Sequence, residues 1–252
     1  MDVRIYLLDL KNLRQQELLD EFLAAAPLRV DEERRRKAEK IRNPRGRAVS
    51  LGAGLLLQRA VADFEGGDLG VHDFGSMPPT ALSEELCAPE IFQLSVRELM
   101  DRVKEPIGLG YRYGELGKPY FKNVPLYFNL SHSGDFVLCT VSKQEIGADI
   151  QKIGKSEVMR TAERFFAEGE LVALQTCRSA KERTELFYRL WSKKEAYGKL
   201  TGKGIAEAIS ENMQCKTEVE WLTFEVPEGY AAAVCQKKFA ISQKRGYREG
   251  KI

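Results

Sequence analysis

The sequence has no Cys-x-x-Cys pair. Its five cysteines, Cys87, Cys139, Cys177, Cys215 and Cys235, are odd in number and widely spaced. That pattern suggests neither a zinc site nor a disulfide framework, and reduced thiols are expected. No sign of charge dominates. With 39 basic and 37 acidic residues the formal net charge is +2, so any anion binding must come from local clustering. No apolar run approaches transmembrane length. The opening MDVRIYLLDL carries Asp2, Arg4 and Asp9 where a signal peptide would be apolar. A cytoplasmic protein without a membrane partner is therefore expected. Low-complexity blocks and short repeats are also missing. What remains is a chain of 252 residues, 43% hydrophobic and 30% charged. That is a globular composition, long enough for one large domain or two halves.

Hydrophobic periodicity predicts a strand over 3–8 and an amphipathic helix over 14–26, with Leu18, Leu19, Phe22 and Leu23 inward. Asp31, Glu32 and Glu33 open a second helix, where acids suit the positive end of the dipole. A dense basic run follows: Arg34, Arg35, Arg36, Lys37, Lys40, Arg42, Arg45 and Arg47. Such a run reads as a solvated helix face, as part of a phosphate site, or as a nucleic-acid contact. No RNA-stacking motif accompanies it, so nucleic acid is not the expected partner. The residues 43–46 read as a turn before a helix over 48–64. Residues 65–115 carry little signal. Short helices are expected within 84–104, and His72 reads as a loop histidine.

From residue 114 the pattern sharpens. Lys118 lies between Gly117 and Pro119, which restrict the backbone and aim its ammonium. A strand over 127–130 enters a polar turn, Ser131-His132-Ser133-Gly134, and strand resumes over 136–141. The strand over 146–153 places Asp149 and Gln151 on one face. A strand-interior acid is costly unless it is paired, hydrogen-bonded or on a metal. Helices are expected over 158–166, 167–179 and 184–200, then a Gly-rich stop and strands between 210 and 235. The helix over 184–200 is the most informative. Phe187, Trp191, Glu195 and Lys199 recur every four residues, so one stripe begins apolar and ends with an acid and a base. Glu195 and Lys199 read either as a surface ion pair or as the edge of a site. Lys194 is a lower-ranked phosphate contact. The recurrence of strand, helices and strands suggests two like halves meeting near residue 144.

Four stretches, GKPYF at 117–121, FNLSHSGDFV at 128–137, IGADIQ at 146–151 and WSKKEAYGKLTGKG at 191–204, occur in the order found in one family. The chain resembles the 4′-phosphopantetheinyl transferases of the surfactin-synthetase-associated type over residues 30–60 and 114–205. The resemblance implies an α+β fold, a pseudo-dimer of two similar α+β halves with the active site in the cleft between them. The halves would be residues 1–144 and 145–241, followed by a flexible tail over 242–252. It implies magnesium-dependent transfer of 4′-phosphopantetheine from coenzyme A to a serine of an acyl- or peptidyl-carrier protein by a monomer, releasing 3′,5′-ADP. By the same resemblance Asp149 and Glu195 hold the metal, with Gln151 beside them. Glu195 and Lys199 are catalytic. Arg34, Lys37, Arg47, Lys118, Ser131, His132 and Lys199 hold coenzyme A. Two features depart from the family. Gln151 stands where many members have a second strand acid, which implies less negative charge and weaker metal binding. Residues 65–113 are longer than the compact bacterial members need. A non-catalytic coenzyme A or carrier-protein binding module is the competing expectation.

Overall fold

Strand β1 (Val3–Asp9) leads into helices α1 (Gln16–Ala25), α2 (Glu32–Glu39) and α3 (Pro44–Gly66). The computed structural model describes residues 3–66, 89–155, 157–209 and 211–238. The readings for His72, Cys87 and the 242–252 tail lie outside these residues. Helix α1 buries Leu19 and Phe22, as its periodicity requires. Helix α2 is nearly bare of apolar residues and is held by its ends. The Asp31 carboxylate accepts the Arg34 N–H at 2.9 Å, acids occupy the first turn, and Arg36 and Lys37 occupy the last. Residues 43–46 are not a free turn. They start α3, where Asn43 accepts the Gly46 N–H at 3.2 Å and Pro44 takes a first-turn position that needs no N–H partner.

Strand β2 (Glu90–Ser95) and helix α4 (Val96–Arg102) come next, then β3 (Tyr111–Tyr113), β4 (Pro119–Phe121), β5 (Tyr127–Ser133) and β6 (Phe136–Ser142). The expectation of helices alone over 84–104 is corrected within the described residues. Residues 90–95 pair parallel with β1, and Phe92 stacks on Tyr6 at 4.7 Å. Packing against a neighbouring strand decides the state of such a short apolar segment. The polar turn expected at 131–134 is also corrected. Strand β5 continues through Ser133, and the turn shrinks to Gly134 and Asp135. Gly134 has φ +56°, and a Cβ there would come within 2.5 Å of the Tyr230 hydroxyl.

Strand β7 (Ile146–Lys152) precedes α5 (Met159–Phe165), α6 (Glu168–Gln175), α7 (Ala180–Thr201), α8 (Ile205–Ala208), β8 (Val219–Leu222) and β9 (Tyr230–Lys237). Residues 213–215 form a 3-10 turn where strand was expected. Helix α7 starts four residues earlier than its apolar stripe suggested, because Ser179 caps it by accepting the Glu182 N–H at 3.1 Å. It stops at Gly202, whose φ of 78° is the left-handed C-terminal conformation.

The protein is of mixed α+β type. A four-stranded sheet runs β2-β1-β6-β5, a three-stranded sheet runs β7-β9-β8, and β3-β4 form a two-stranded ribbon. Tyr6, Leu8 and Leu94 of the first sheet pack with Leu51, Leu55 and Leu99 of the helices. The opposite face offers Val3, Ile5, Leu7, Phe136 and Leu138, which meet Ile146, Ile150 and Val234 of the second sheet. Strand β1 is thus buried on both faces, and the two sheets share one apolar layer. Among the described residues no helix is long and apolar enough to cross a membrane.

Helix α7 lies directly on β7. A Cβ at Gly147 would come within 2.0 Å of the Ala196 carbonyl oxygen, and one at Gly198 within 2.4 Å of Gly204 backbone atoms. The obstacles are backbone, so neither clash is relieved by a rotamer change. Gly147→Ala is expected to lower the free energy of unfolding by about 3 kcal/mol, at the upper end for overpacking. Gly108→Ala, where a Cβ would meet nothing within 4 Å, should change it by less than about 0.5 kcal/mol. Urea denaturation of the two variants checks both values.

Candidate active site

Strand β5 is an edge of the first sheet and β7 an edge of the second. Their backbones do not pair as a ladder. Instead, alternate side chains of β5 accept the N–H groups on the open edge of β7. Asn129 Oδ1 accepts from Ala148 at 3.3 Å, Ser131 Oγ from Ile150 at 3.3 Å, and Ser133 Oγ from Lys152 at 2.9 Å. The period-2 alternation of a strand supplies one acceptor per rung. The seam satisfies backbone donors that would otherwise be buried without partners.

Asp149 projects from β7 into this seam and is 1% exposed. Its Oδ1 accepts from Ser131 Oγ at 2.7 Å and from Lys199 Nζ at 2.7 Å, and its Oδ2 from Gln151 Nε2 at 3.0 Å. Lys199 Nζ also donates to Ser131 Oγ at 3.0 Å. The expected shared face of Asp149 and Gln151 is therefore present as a direct contact.

Glu195 lies one turn before Lys199 on α7. Lys199 pairs with Asp149 across the seam, so the reading of Glu195 and Lys199 as a surface ion pair is set aside. Among the described residues Glu195 forms no hydrogen bond or ion pair. Burial raises its carboxyl above the ordinary range. The Asp149 charge raises it further, and Lys199 opposes both. Two carboxylates thus share one electrostatic neighbourhood, one neutralised by a lysine and the other without a partner. The exposed ring of His132 is near enough to feel the same cluster. Protein packed around the ring lowers its pKa first and Lys199 lowers it further, against Asp149. Trp191 stacks on Phe187 at 5.8 Å and meets Phe165 edge-on, so it anchors α7 by packing.

A cavity of about 420 Å³ adjoins this cluster and shares Lys199 with it. Its walls carry five cations, Arg34, Lys37, Lys118, Lys199 and Lys203, and the single acid Glu33. Asp149, Glu195 and Ser131 lie outside its wall, as do Arg47 and His132. Lys118 crosses to the end of α7, where its Nζ donates to the Leu200 carbonyl at 2.6 Å. A cation there satisfies a terminal carbonyl and suits the negative end of the dipole. Burial lowers the pKa of Lys118. Arg47 donates to the Ile41 carbonyl at 3.2 Å and ties α3 to the linker that follows α2.

Residues 145–241 match the family model of the 4′-phosphopantetheinyl transferase superfamily. A 4′-phosphopantetheinyl transferase of Bacillus subtilis is 35% identical over 127 residues, covering 50% of this chain and 56% of that protein. The 4′-phosphopantetheinyl transferase psf-1 of Bacillus pumilus is 40% identical over 121 residues, covering 48% and 51%. Sfp of Bacillus subtilis strain 168 is 36% identical over 136 residues, covering 48% and 60%. The chain thus spans about half the length of the curated relatives it matches. The matched segment contains Asp149, Gln151, Glu195 and Lys199, the acidic cluster and the lysine that joins it to the cavity.

Two groups on the cavity wall were missed by sequence reading. Tyr111 and Tyr113, on the ribbon, line the cavity. The Tyr111 hydroxyl donates to Asp31 at 3.1 Å, and the Tyr113 hydroxyl bonds both Glu33 and Lys37. The alternating YRY ahead of the GKP turn was the available signal. Gly54 was also missed. A Cβ there would come within 2.4 Å of Arg34 Cγ, so its absence lets the arginine stem lie on α3.

Lys194 is a correction. It is 0% exposed and pairs with the buried Glu170 at 2.8 Å, so it meets neither solvent nor a phosphate. It also donates to the Ala208 and Glu211 carbonyls at 3.0 and 2.6 Å. Burial pulls its pKa down while Glu170 pulls it up. Glu170 in turn accepts the N–H groups of Ala167 and Met213, each at 3.1 Å. Lys194→Met is expected to cost about 3–5 kcal/mol, because it strands a buried carboxylate. Adding Glu170→Gln should recover part of that loss. Denaturant unfolding of the single and double variants measures both effects.

Proposed function

We propose that this chain transfers 4′-phosphopantetheine from coenzyme A to a serine of an apo acyl- or peptidyl-carrier protein, releasing 3′,5′-ADP. The observation that carries this reading is the five-cation cavity joined through Lys199 to the Asp149 and Glu195 carboxylates. Coenzyme A bears a pyrophosphate and a 3′-phosphate, and a wall of five cations and one acid suits a polyanion of that kind. The names of the relatives support the same class of reaction. The basic segment supports nucleic acid less well. Arg35 and Arg36 pair with Glu32, which leaves these two less free for a phosphate backbone.

The matching strand orders β1-β6-β5 and β7-β9-β8 support a pseudo-dimer of residues 1–144 and 145–241 with the site between them. Two fused halves would suit a monomer, which we place in the cytoplasm.

Coenzyme A phosphates would lie against Arg34, Lys37, Lys118 and Lys199. We keep Arg47 and His132 as outer contacts of the nucleotide end. Asp149 and Glu195 offer two carboxylates and Gln151 an amide, hard oxygen donors of the kind magnesium takes with few protein ligands. Among the described residues no group of three or more His, Cys, Asp or Glu is placed to hold a metal ion. When bound, magnesium would supply charge neutralisation at the pyrophosphate oxygens.

In the reaction the carrier serine oxygen attacks the phosphorus next to pantetheine, and the bond from that phosphorus to the ADP oxygen breaks. Such transfers ask the protein mostly for positioning and charge neutralisation. Lys199 stabilises the charge that grows on the departing phosphate. Glu195 accepts the serine proton, directly or through a water. A carboxylate without a hydrogen-bond partner, raised by burial and by Asp149, suits that task.

Mass spectrometry of an apo carrier incubated with coenzyme A, magnesium and this protein tests the proposal. The expected result is a gain of one phosphopantetheine on the carrier. No gain on carriers that another transferase modifies would overturn it, and coenzyme A binding in that case would establish the binding-module reading. Glu195→Gln is expected to lower transfer by about 10²–10⁴-fold with the unfolding midpoint unchanged. Gln151→Glu should retain transfer.

A further inference from the structure

We infer that Glu33 is an internal counter-ion that occupies Lys37 in the free protein and gives it up to a phosphate of coenzyme A, while Tyr113 keeps the ammonium on the cavity wall. This rests on the coenzyme A site proposed above. Glu33 and Lys37 stand one turn apart on α2, so their side chains share a face. Lys37 Nζ lies 3.1 Å from Glu33 Oε1 and donates to the Tyr113 hydroxyl at 2.5 Å. That hydroxyl donates in turn to the same carboxylate oxygen. The Lys37 ammonium also sits 4.9 Å from the centre of the Tyr113 ring. One cation thus has a charged support and a neutral one.

The other lysines of the wall are held differently. Lys118 donates to the Leu200 carbonyl, Lys199 pairs with Asp149 in the seam and Lys203 pairs with Glu207, and neither acid stands on the wall. Among the described residues Glu33 is the acid that both stands on the wall and holds a wall lysine. A phosphate that reaches Lys37 therefore meets this carboxylate at once, and the two anions repel. Burial pushes the Glu33 carboxyl up, but hydrogen bonds from Tyr113 and Lys37 outweigh it and hold it below the ordinary range. Glu33 thus competes as an anion at neutral pH. The pair is partly exposed, so separating it costs little. The Tyr113 hydroxyl and ring carry no charge, so Lys37 can keep them when the carboxylate leaves.

Calorimetric titration of coenzyme A into the full chain tests this, with Glu33→Gln, Glu32→Gln, Lys37→Met and the double variant of Glu33→Gln with Lys37→Met. Glutamine at 33 still offers an oxygen to the Tyr113 hydroxyl but brings no charge. Glu32→Gln is the charge-matched control, since Glu32 stands in the same first turn but pairs with Arg35 and Arg36, which are not on the wall. Glu33→Gln should tighten Kd by roughly two- to fivefold at low salt, and the gain should shrink as salt rises. Glu32→Gln should stay within about 1.5-fold of the parent, because its charge is exposed and screened. Lys37→Met should weaken binding, and most of the gain from Glu33→Gln should vanish in the double variant. Unchanged or weaker binding in Glu33→Gln would make the carboxylate a support of Lys37 rather than a competitor and overturn the inference. Equal gains in Glu33→Gln and Glu32→Gln would reduce the effect to net charge and overturn it too. A full gain retained without Lys37 would do the same. If the parent binds no coenzyme A, the site proposed above fails and this inference fails with it. A parent that binds coenzyme A, with Glu33→Gln unaffected, refutes this inference alone.

Discussion

The site depends on one unusual joint. Two sheet edges face each other, and an open edge inside a protein leaves N–H groups that must find acceptors. Here the acceptors are side chains. Asn129, Ser131 and Ser133 alternate along β5 and meet Ala148, Ile150 and Lys152 of β7 rung by rung. A backbone ladder would have fused the sheets and left no room for a polar residue between them. Side chains hold the edges together while admitting the carboxylate of Asp149. The apolar layer of Val3, Ile5, Leu7, Ile146 and Ile150 behind the seam keeps the two sheets from sliding. Polar bonds thus join β7 to β5, while apolar packing joins β7 to β1.

Helix α7 shows how burial assigns roles to like residues. Lys194 and Lys199 lie five positions apart. Lys194 points into the packing of α6 and α8, where Glu170 and two carbonyls satisfy its ammonium. Its removal strands a charge, which makes it structural. Lys199 points at the seam, partly exposed, and forms both a wall of the cavity and a partner of Asp149. The aromatic cluster of Phe166, Phe187 and Trp191 fixes the rotation that separates the two. Gly147 and Gly198 fix the depth, since each position admits backbone where a side chain would stand.

Much of this was legible in the residues themselves. The stripe Phe187, Trp191, Glu195, Lys199 announced a helix that leaves a core and enters a site, because its spacing is local. The face shared by Asp149 and Gln151 followed from strand alternation. The reading failed where a partner far along the chain decided the state. Residues 90–95 became strand by lying beside β1. Ser131 and His132 looked like a turn because polar residues after an apolar strand usually are one. They stayed in strand because they pair with Leu138 and Val137 of β6, and β7 offers an N–H to Ser131.

The sequence by itself marked Asp149, Gln151, Glu195 and Lys199 as site candidates and determined which elements bear them, since helix and strand periods are properties of neighbours in the chain. Only the tertiary structure decided the pairings. Lys199 chose Asp149 over Glu195, one turn away, because the seam brings a buried carboxylate to its ammonium at 2.7 Å. Lys194 chose Glu170 because both lie where no water reaches to compete. Which oppositely charged group meets which is a matter of distance and dielectric, and both are set by packing between segments far apart in the chain.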